Sequence, residues 1–240
     1  MKSIGYGIFI IIGAGHWACS SVSKRYVHRS EIVVSNNHVQ PSKEVEAFVA
    51  PYGDSLELEM NRVIGFATAN FERARPEGAL GNLLADLSLQ YALDHELVDE
   101  SEHPLCILNH GGLRSPISAG PITVGDIYKL MPFDNTLVVL KLNRSVLPEI
   151  HAYLKQSGGE PISGFEVTND QLVGIGTYEV ITVITSNYLA LGGDNMDFFK
   201  HPISKIDHPK LLRDIIIEYV EATDTIVPLV NGRIRFETQE

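Results

Sequence analysis

Two apolar runs, LCIL at 105–108 and YEVITVIT at 178–185, each stop at a polar loop carrying a glycine pair: NHGGLR at 109–114 and SNYLALGGD at 186–194. Short apolar runs bounded by turn residues read as buried strands. Loops at the ends of such strands are where a rigid scaffold gathers functional groups. A third segment of the same kind, PFDN at 132–135, directly precedes the apolar run NTLVVLKL at 135–142.

The remaining chain alternates strand and helix signals. RVIGFATA at 62–69 has strand-like content. Leu80, Leu83, Leu84, Leu87 and Tyr91 recur at helical spacing after a turn at Pro76 and Gly78. TVGDIYKLM at 123–131 predicts a short helix with Thr123 as N-cap and Asp126 in its first turn. A helix is expected over 144–156, with Pro148 tolerated in the first turn. QLVGI at 171–175 and YEVITVIT are read as paired strands. The final helix is expected over 210–222, with Leu212, Ile215, Ile216 and Tyr219 inward. This order predicts a single α+β domain with a mixed sheet and packed helices.

The three loops hold a specific chemical inventory. Phe133 and Tyr188 are flat aromatic faces suited to sandwich a heterocycle. Asn109 carries a donor and an acceptor and can read a base edge. Asp194 can accept from both hydroxyls of a ribose, and Arg114 has the forked guanidinium that pairs with phosphate oxygens. Gly111, Gly112, Gly192 and Gly193 permit positive φ or close approach to the main chain.

In order and spacing these segments resemble the C-terminal domain of the 5'-nucleotidase family, which includes UDP-sugar hydrolases and cyclic-nucleotide phosphodiesterases. The resemblance runs over about 62–235, through ALGNLLAD at 79–86, the stretch 109–135, SGF at 163–165, the stretch 178–199 and VNGRIRF at 230–236. It implies a nucleotide held between Phe133 and Tyr188, the second ring being Phe more commonly in the family. It also implies Asn109 on the base, Gly111 and Gly112 lining the pocket, Arg114 on phosphate and Asp194 on the ribose. A further phosphate-binding arginine of the family falls at Ala74, flanked here by Arg73 and Arg75, which become the candidates.

Full-length relatives carry an N-terminal metallophosphatase domain with two metal ions, which activate water and clamp the leaving oxygen. The metal-ligating residue types here, among them His28, His38, Asp94, His95, Glu96, His103, Asp207 and His208, are scattered and form none of that domain's motifs. Asp94 to Glu96 reads as a polar helix end and His110 as a variable position of the loop. The expectation is therefore a chain with no catalytic residue, cofactor or metal of its own. It would be the nucleotide-recognition half of a 5'-nucleotidase-type phosphohydrolase, completed by a separate metallophosphatase polypeptide bearing a divalent dimetal site. The alternatives are a stand-alone nucleotide- or nucleoside-binding envelope lipoprotein and a degenerate domain kept for assembly.

A formal net charge of −11 argues against nucleic-acid polymers, which require a basic surface, but is compatible with a mononucleotide held by local arginines. The N-terminus carries Lys2, an apolar run over 4–14 too short to span a bilayer, and Cys19 followed by two serines, resembling a bacterial lipoprotein signal with His16 as its departure. This predicts a signal segment over 1–19 with lipidation at Cys19, a tether over 20–42 and the domain over 43–240. Export to the cell envelope with a lipid anchor follows. Cys106, in an apolar run, is expected to be a buried inert thiol.

Overall fold

The computed structural model describes residues 42–236. Signal segment, Cys19, His28, His38 and nearly all of the tether thus lie outside the described residues. Helix α1 (Lys43–Met60) precedes strand β1 (Val63–Ala67) and helix α2 (Ala79–Asp94). Strands β2 (Leu105–Ile107) and β3 (Gly120–Thr123), helix α3 (Val124–Leu130), strand β4 (Thr136–Asn143) and helix α4 (Leu147–Ser157) follow. Three two-residue strands come next, β5 (Ile162–Ser163), β6 (Glu166–Val167) and β7 (Leu172–Val173). Strand β8 (Val180–Ser186), helix α5 (Asn187–Ala190), strand β9 (Ser204–Leu211), helix α6 (Leu212–Thr223) and strand β10 (Thr225–Ile226) complete the order. The result is an α+β fold with mixed sheets and packed helices.

The main sheet has five strands in the order β5-β2-β8-β4-β9. The β2·β8 pair is parallel, and the other pairs are antiparallel. Both faces are covered, and the period-two alternation of a strand shows which residue serves which side. Cys106, Leu108, Leu137, Val139 and Ile184 face a core shared with α2, α3, α6 and β1. Leu105, Ile107, Val138, Leu140 and Val183 face a second core with α4 and the segment after β8. Each such fully buried aliphatic side chain contributes about 1.5–3 kcal/mol, so the two cores fix strand register strongly. A one-residue slip would exchange their inventories.

Local signals explain the helices. Thr123 caps α3 in a complete capping box, its hydroxyl accepting from the Asp126 N–H while the Asp126 carboxylate accepts from the Thr123 N–H. Helix α4 starts with Pro148 in its first turn and ends at Gly158 in the left-handed region, φ 76°. Helix α2 ends at Asp94 with His95 as its cap, a polar helix end as expected. Cys106 is fully buried, and burial pushes its thiol well above the usual range.

Three sequence expectations are corrected. The run at 171–175 does not pair with that at 178–185: β7 pairs with β6, and β8 lies between β2 and β4. The long apolar β8 needs two apolar-faced neighbours, whereas Gly174 at φ 87° turns the β6-β7 ribbon away after two residues. Residues 210 and 211 end β9 rather than begin the last helix. Strand β9 is polar and contains Pro209, which only an edge position tolerates. On α6, Leu212, Ile215, Ile216 and Val220 are buried, but Tyr219 is 38% exposed, because the helical period carries it past the packed stripe.

Candidate functional site

Parallel pairing of β2 with β8, and antiparallel pairing of β8 with β4, bring three chain segments to one end of the main sheet. The Asn109 loop leaves the carboxyl end of β2, and the Tyr188 loop leaves the carboxyl end of the adjacent β8. The Phe133 loop enters β4 at that same end, since Leu137 lies opposite Ser186. The Thr136 N–H donates to Asn187 Oδ1 at 3.2 Å, tying the last two loops together.

These loops enclose a cavity of about 380 Å³, within the size range of small-ligand sites. Asn109, Gly111, Gly112, Arg114, Phe133, Tyr188 and Asp194 all line it. Phe133 is 49% and Tyr188 46% exposed, and both rings line this one cavity. A larger, more open depression of about 790 Å³ lies by the end of α2, but Asp94, Glu96, Asp99, Glu100 and Glu102 crowd it against the single cation Lys141. That surface repels an anion and offers no aromatic ring.

Asp194 is the organising residue of the smaller cavity. Its Oδ2 accepts from Asn109 Nδ2 at 2.6 Å, and its Oδ1 accepts from the Tyr188 hydroxyl at 2.8 Å. Its carbonyl accepts from the Tyr153 hydroxyl at 3.0 Å. Burial, with the nearby Glu160 and Asp194 charges, pushes the Tyr153 phenol up to about 12, so it stays a donor.

The glycines serve mainly space rather than φ. Only Gly192, at φ 86°, is in the left-handed region among the four. A Cβ at Gly193 would come within 2.4 Å of the Tyr188 ring, and one at Gly112 would meet Asn109 Oδ1 at 2.9 Å. Both positions therefore let a neighbouring side chain, Tyr188 or Asn109, fold flat against the backbone.

The cations divide into two groups. Arg114 lines the cavity, and among the described residues its guanidinium makes only a long 3.4 Å bond to the Gly111 carbonyl. Arg75 instead pairs with the buried Glu160 at 2.8 Å, and Arg73 donates to the His110 carbonyl at 3.4 Å. Neither Arg73 nor Arg75 lines the cavity with the other seven; both flank the Asn109 loop from outside it. Burial raises the Glu160 carboxyl above its ordinary range, opposed by the His110 N–H and by Arg75. Burial also lowers His110, helped by the charges of Arg73 and Arg75.

Sequence reasoning did not single out four participants. Asn135 lines the cavity from within the PFDN segment, whose position before β4 was the available signal. Tyr153 and Glu160 act from α4 and the turn after it, with no local motif to mark them. Arg213 on α6 donates to the Phe133 carbonyl at 3.2 Å and pairs with Asp134 at 2.5 Å, its guanidinium lying 4.5 Å from the Tyr128 ring centre.

A family profile described as "5'-nucleotidase, C-terminal domain" matches residues 63–155, which contain Arg73, Arg75, Asn109, Arg114 and Phe133. The chain carries a C-terminal domain of the 5'-nucleotidase family. Human 5'-nucleotidase is 29% identical over 216 residues, covering 75% of this chain and 37% of that protein. The trifunctional nucleotide phosphoesterase YfkN of Bacillus subtilis is 25% identical over 231 residues, covering 83% of this chain and 16% of that protein. The 5'-nucleotidase precursor of Thermus thermophilus has the same fold, with a TM-score of 0.66 at 23% identity over 82% of this chain and 43% of its own. The chain thus spans less than half the length of each of these relatives.

In this 5'-nucleotidase C-terminal domain, a two-metal centre would need several carboxylates and imidazoles converging from separate loops. Among the described residues no group of three or more His, Cys, Asp or Glu side chains could hold a metal ion. Those residues do not fit such a centre. Also among the described residues, no helix is long and apolar enough to cross a membrane.

Proposed function

We propose that this domain binds a nucleotide and orients it for hydrolysis by a separate metallophosphatase polypeptide. In this reading Phe133 and Tyr188 hold the base between them, Asn109 contacts its edge, Asp194 accepts from the ribose hydroxyls and Arg114 binds phosphate. Arg73 and Arg75 lie further out and meet the distal phosphate side once Arg75 leaves Glu160. The observation that carries the reading is the shared cavity: two half-exposed rings, an amide, a carboxylate and a weakly engaged guanidinium converge on about 380 Å³. The family membership supports the ligand class. Residues 1–19 export the chain, Cys19 anchors it by a lipid in the cell envelope, and residues 20–42 let the domain reach its partner.

A binding half of this kind contributes to catalysis by positioning. Holding the phosphate in register with an attacking water can supply several kcal/mol of the barrier, so loss of the domain would matter as much as loss of a catalytic group. The test is AMP hydrolysis by this chain, by a co-encoded metallophosphatase and by both together with a divalent metal. The expected result is turnover only, or far faster, with both. Hydrolysis by this chain alone would overturn the division of labour.

A further inference from the structure

Every polar atom of Asp194 is engaged within the protein. Besides its bonds to Asn109, Tyr188 and Tyr153, its own N–H donates to the Tyr188 hydroxyl at 3.2 Å. That hydroxyl is therefore donor to the carboxylate and acceptor from the amide of one residue, closing a small ring of bonds. Asp194 sits at φ 52°, in the left-handed region, and the loop must hold it there. The ring of Tyr188 is fixed too, packed against the backbone of Gly193, where no side chain would fit. The hydrogen bond to Asp194 raises the phenol above its ordinary range, which keeps it protonated as the donor.

A carboxylate oxygen has about two lone-pair directions. Here Tyr188 occupies one on Oδ1 and Asn109 one on Oδ2, so each oxygen keeps one direction free. Two free acceptor directions side by side, on a carboxylate that cannot turn, match the spacing of a vicinal diol. Without the phenol, Oδ1 would be held by water alone, and a sugar would have to order the carboxylate as it bound. Donation by the phenol also draws some charge from the carboxylate. Preorganisation outweighs that loss, because the bond uses a lone pair the sugar does not need.

We infer that the Tyr188 hydroxyl, as distinct from its ring, is a specificity-determining group that fixes Asp194 to select ribose over sugars lacking the 2'- and 3'-hydroxyls. The inference rests on the nucleotide reading of the same cavity, and it makes base platform and sugar acceptor one rigid unit.

The experiment compares the full chain with Tyr188→Phe by calorimetry against adenosine, 2'-deoxyadenosine and 2',3'-dideoxyadenosine. The wild type is expected to bind adenosine more tightly than dideoxyadenosine. In Tyr188→Phe the preference should fall about two- to tenfold, the worth of one hydrogen bond, with dideoxyadenosine affinity nearly unchanged because the stacking ring remains. A preference that is unchanged or larger in Tyr188→Phe, or equal weakening of all three ligands, overturns the inference and leaves the nucleotide reading standing. So does a wild type that binds adenosine and dideoxyadenosine equally. Absence of any binding by the wild type removes the nucleotide reading and this inference together.

Discussion

In the proposed reading Phe133 stacks on the base and Arg114 binds the phosphate, so truncating each should leave a different signature. Stacking on one aromatic ring is worth about 1–3 kcal/mol, and Phe133→Ala should weaken AMP and adenosine by similar amounts in that range. Arg114→Ala should weaken AMP far more than adenosine. Equal losses for both ligands in Arg114→Ala, measured by calorimetry, would remove its phosphate role. His110 offers a pH test in the same loop. Its folded value is depressed below the ordinary 6.5 by burial and by Arg73 and Arg75. The unfolded chain therefore binds the proton first, and stability should decline as pH falls from 6.5 to the depressed value, then level off. Urea midpoints of His110→Gln should show a shallower decline over that window than wild type; parallel curves would refute it. The cavity residues were readable from sequence because Asn109, Phe133, Tyr188 and Asp194 sit in loops that directly adjoin apolar strands. Tyr153, Glu160 and Arg213 were not, since what gives them a role is a contact across the fold: Tyr153 reaches Asp194 over 41 positions.

At the scale of elements, α6 holds the Phe133 loop. Arg213 is 8% exposed, grips the Phe133 carbonyl and the Asp134 carboxylate, and lies over Tyr128 of α3. A buried guanidinium with three partners fixes a loop that has no regular structure of its own. Removing the exposed partner is the gentle perturbation: Asp134→Ala should lower adenosine affinity by about 1 kcal/mol. In a Phe133→Ala background the same change should have almost no further effect, because the loop then carries no ring to position. Additive losses in that double-mutant cycle would show that the anchor does not act through Phe133. Element type was legible where a cap was complete, as at Thr123 with Asp126, or where the period was clear, as in Leu80 through Tyr91. Partner choice was not, because the 178–185 run is apolar on both faces and its sequence is silent about which strands flank it. Strand β9 was not legible because an edge strand needs no apolar alternation, and its polar residues with Pro209 resemble a loop.

For the whole molecule, the division between what folds the domain and what lies outside its cores can be tested at α1. Its residues Phe48, Val49, Tyr52 and Leu56 are all more than half exposed, and no residue of α1 is buried. Pro51 and Gly53 lie inside it, at costs of about 3 and 1 kcal/mol relative to alanine in a helix interior. Only its last residue, Met60, packs against the core beside α3. Both cores, all three sheets and the complete cavity are built from residues after it. A variant lacking residues 1–58 should therefore keep its Tm within a few degrees of the full chain and bind adenosine with the same affinity. Both forms should gain Tm with added adenosine to the same extent, since a ligand stabilises through the folded state it binds. A large fall in Tm or lost adenosine binding in the shortened chain would mean that α1 is part of the domain's folding unit. Its exposed stripe would then be the wrong guide to where the domain begins.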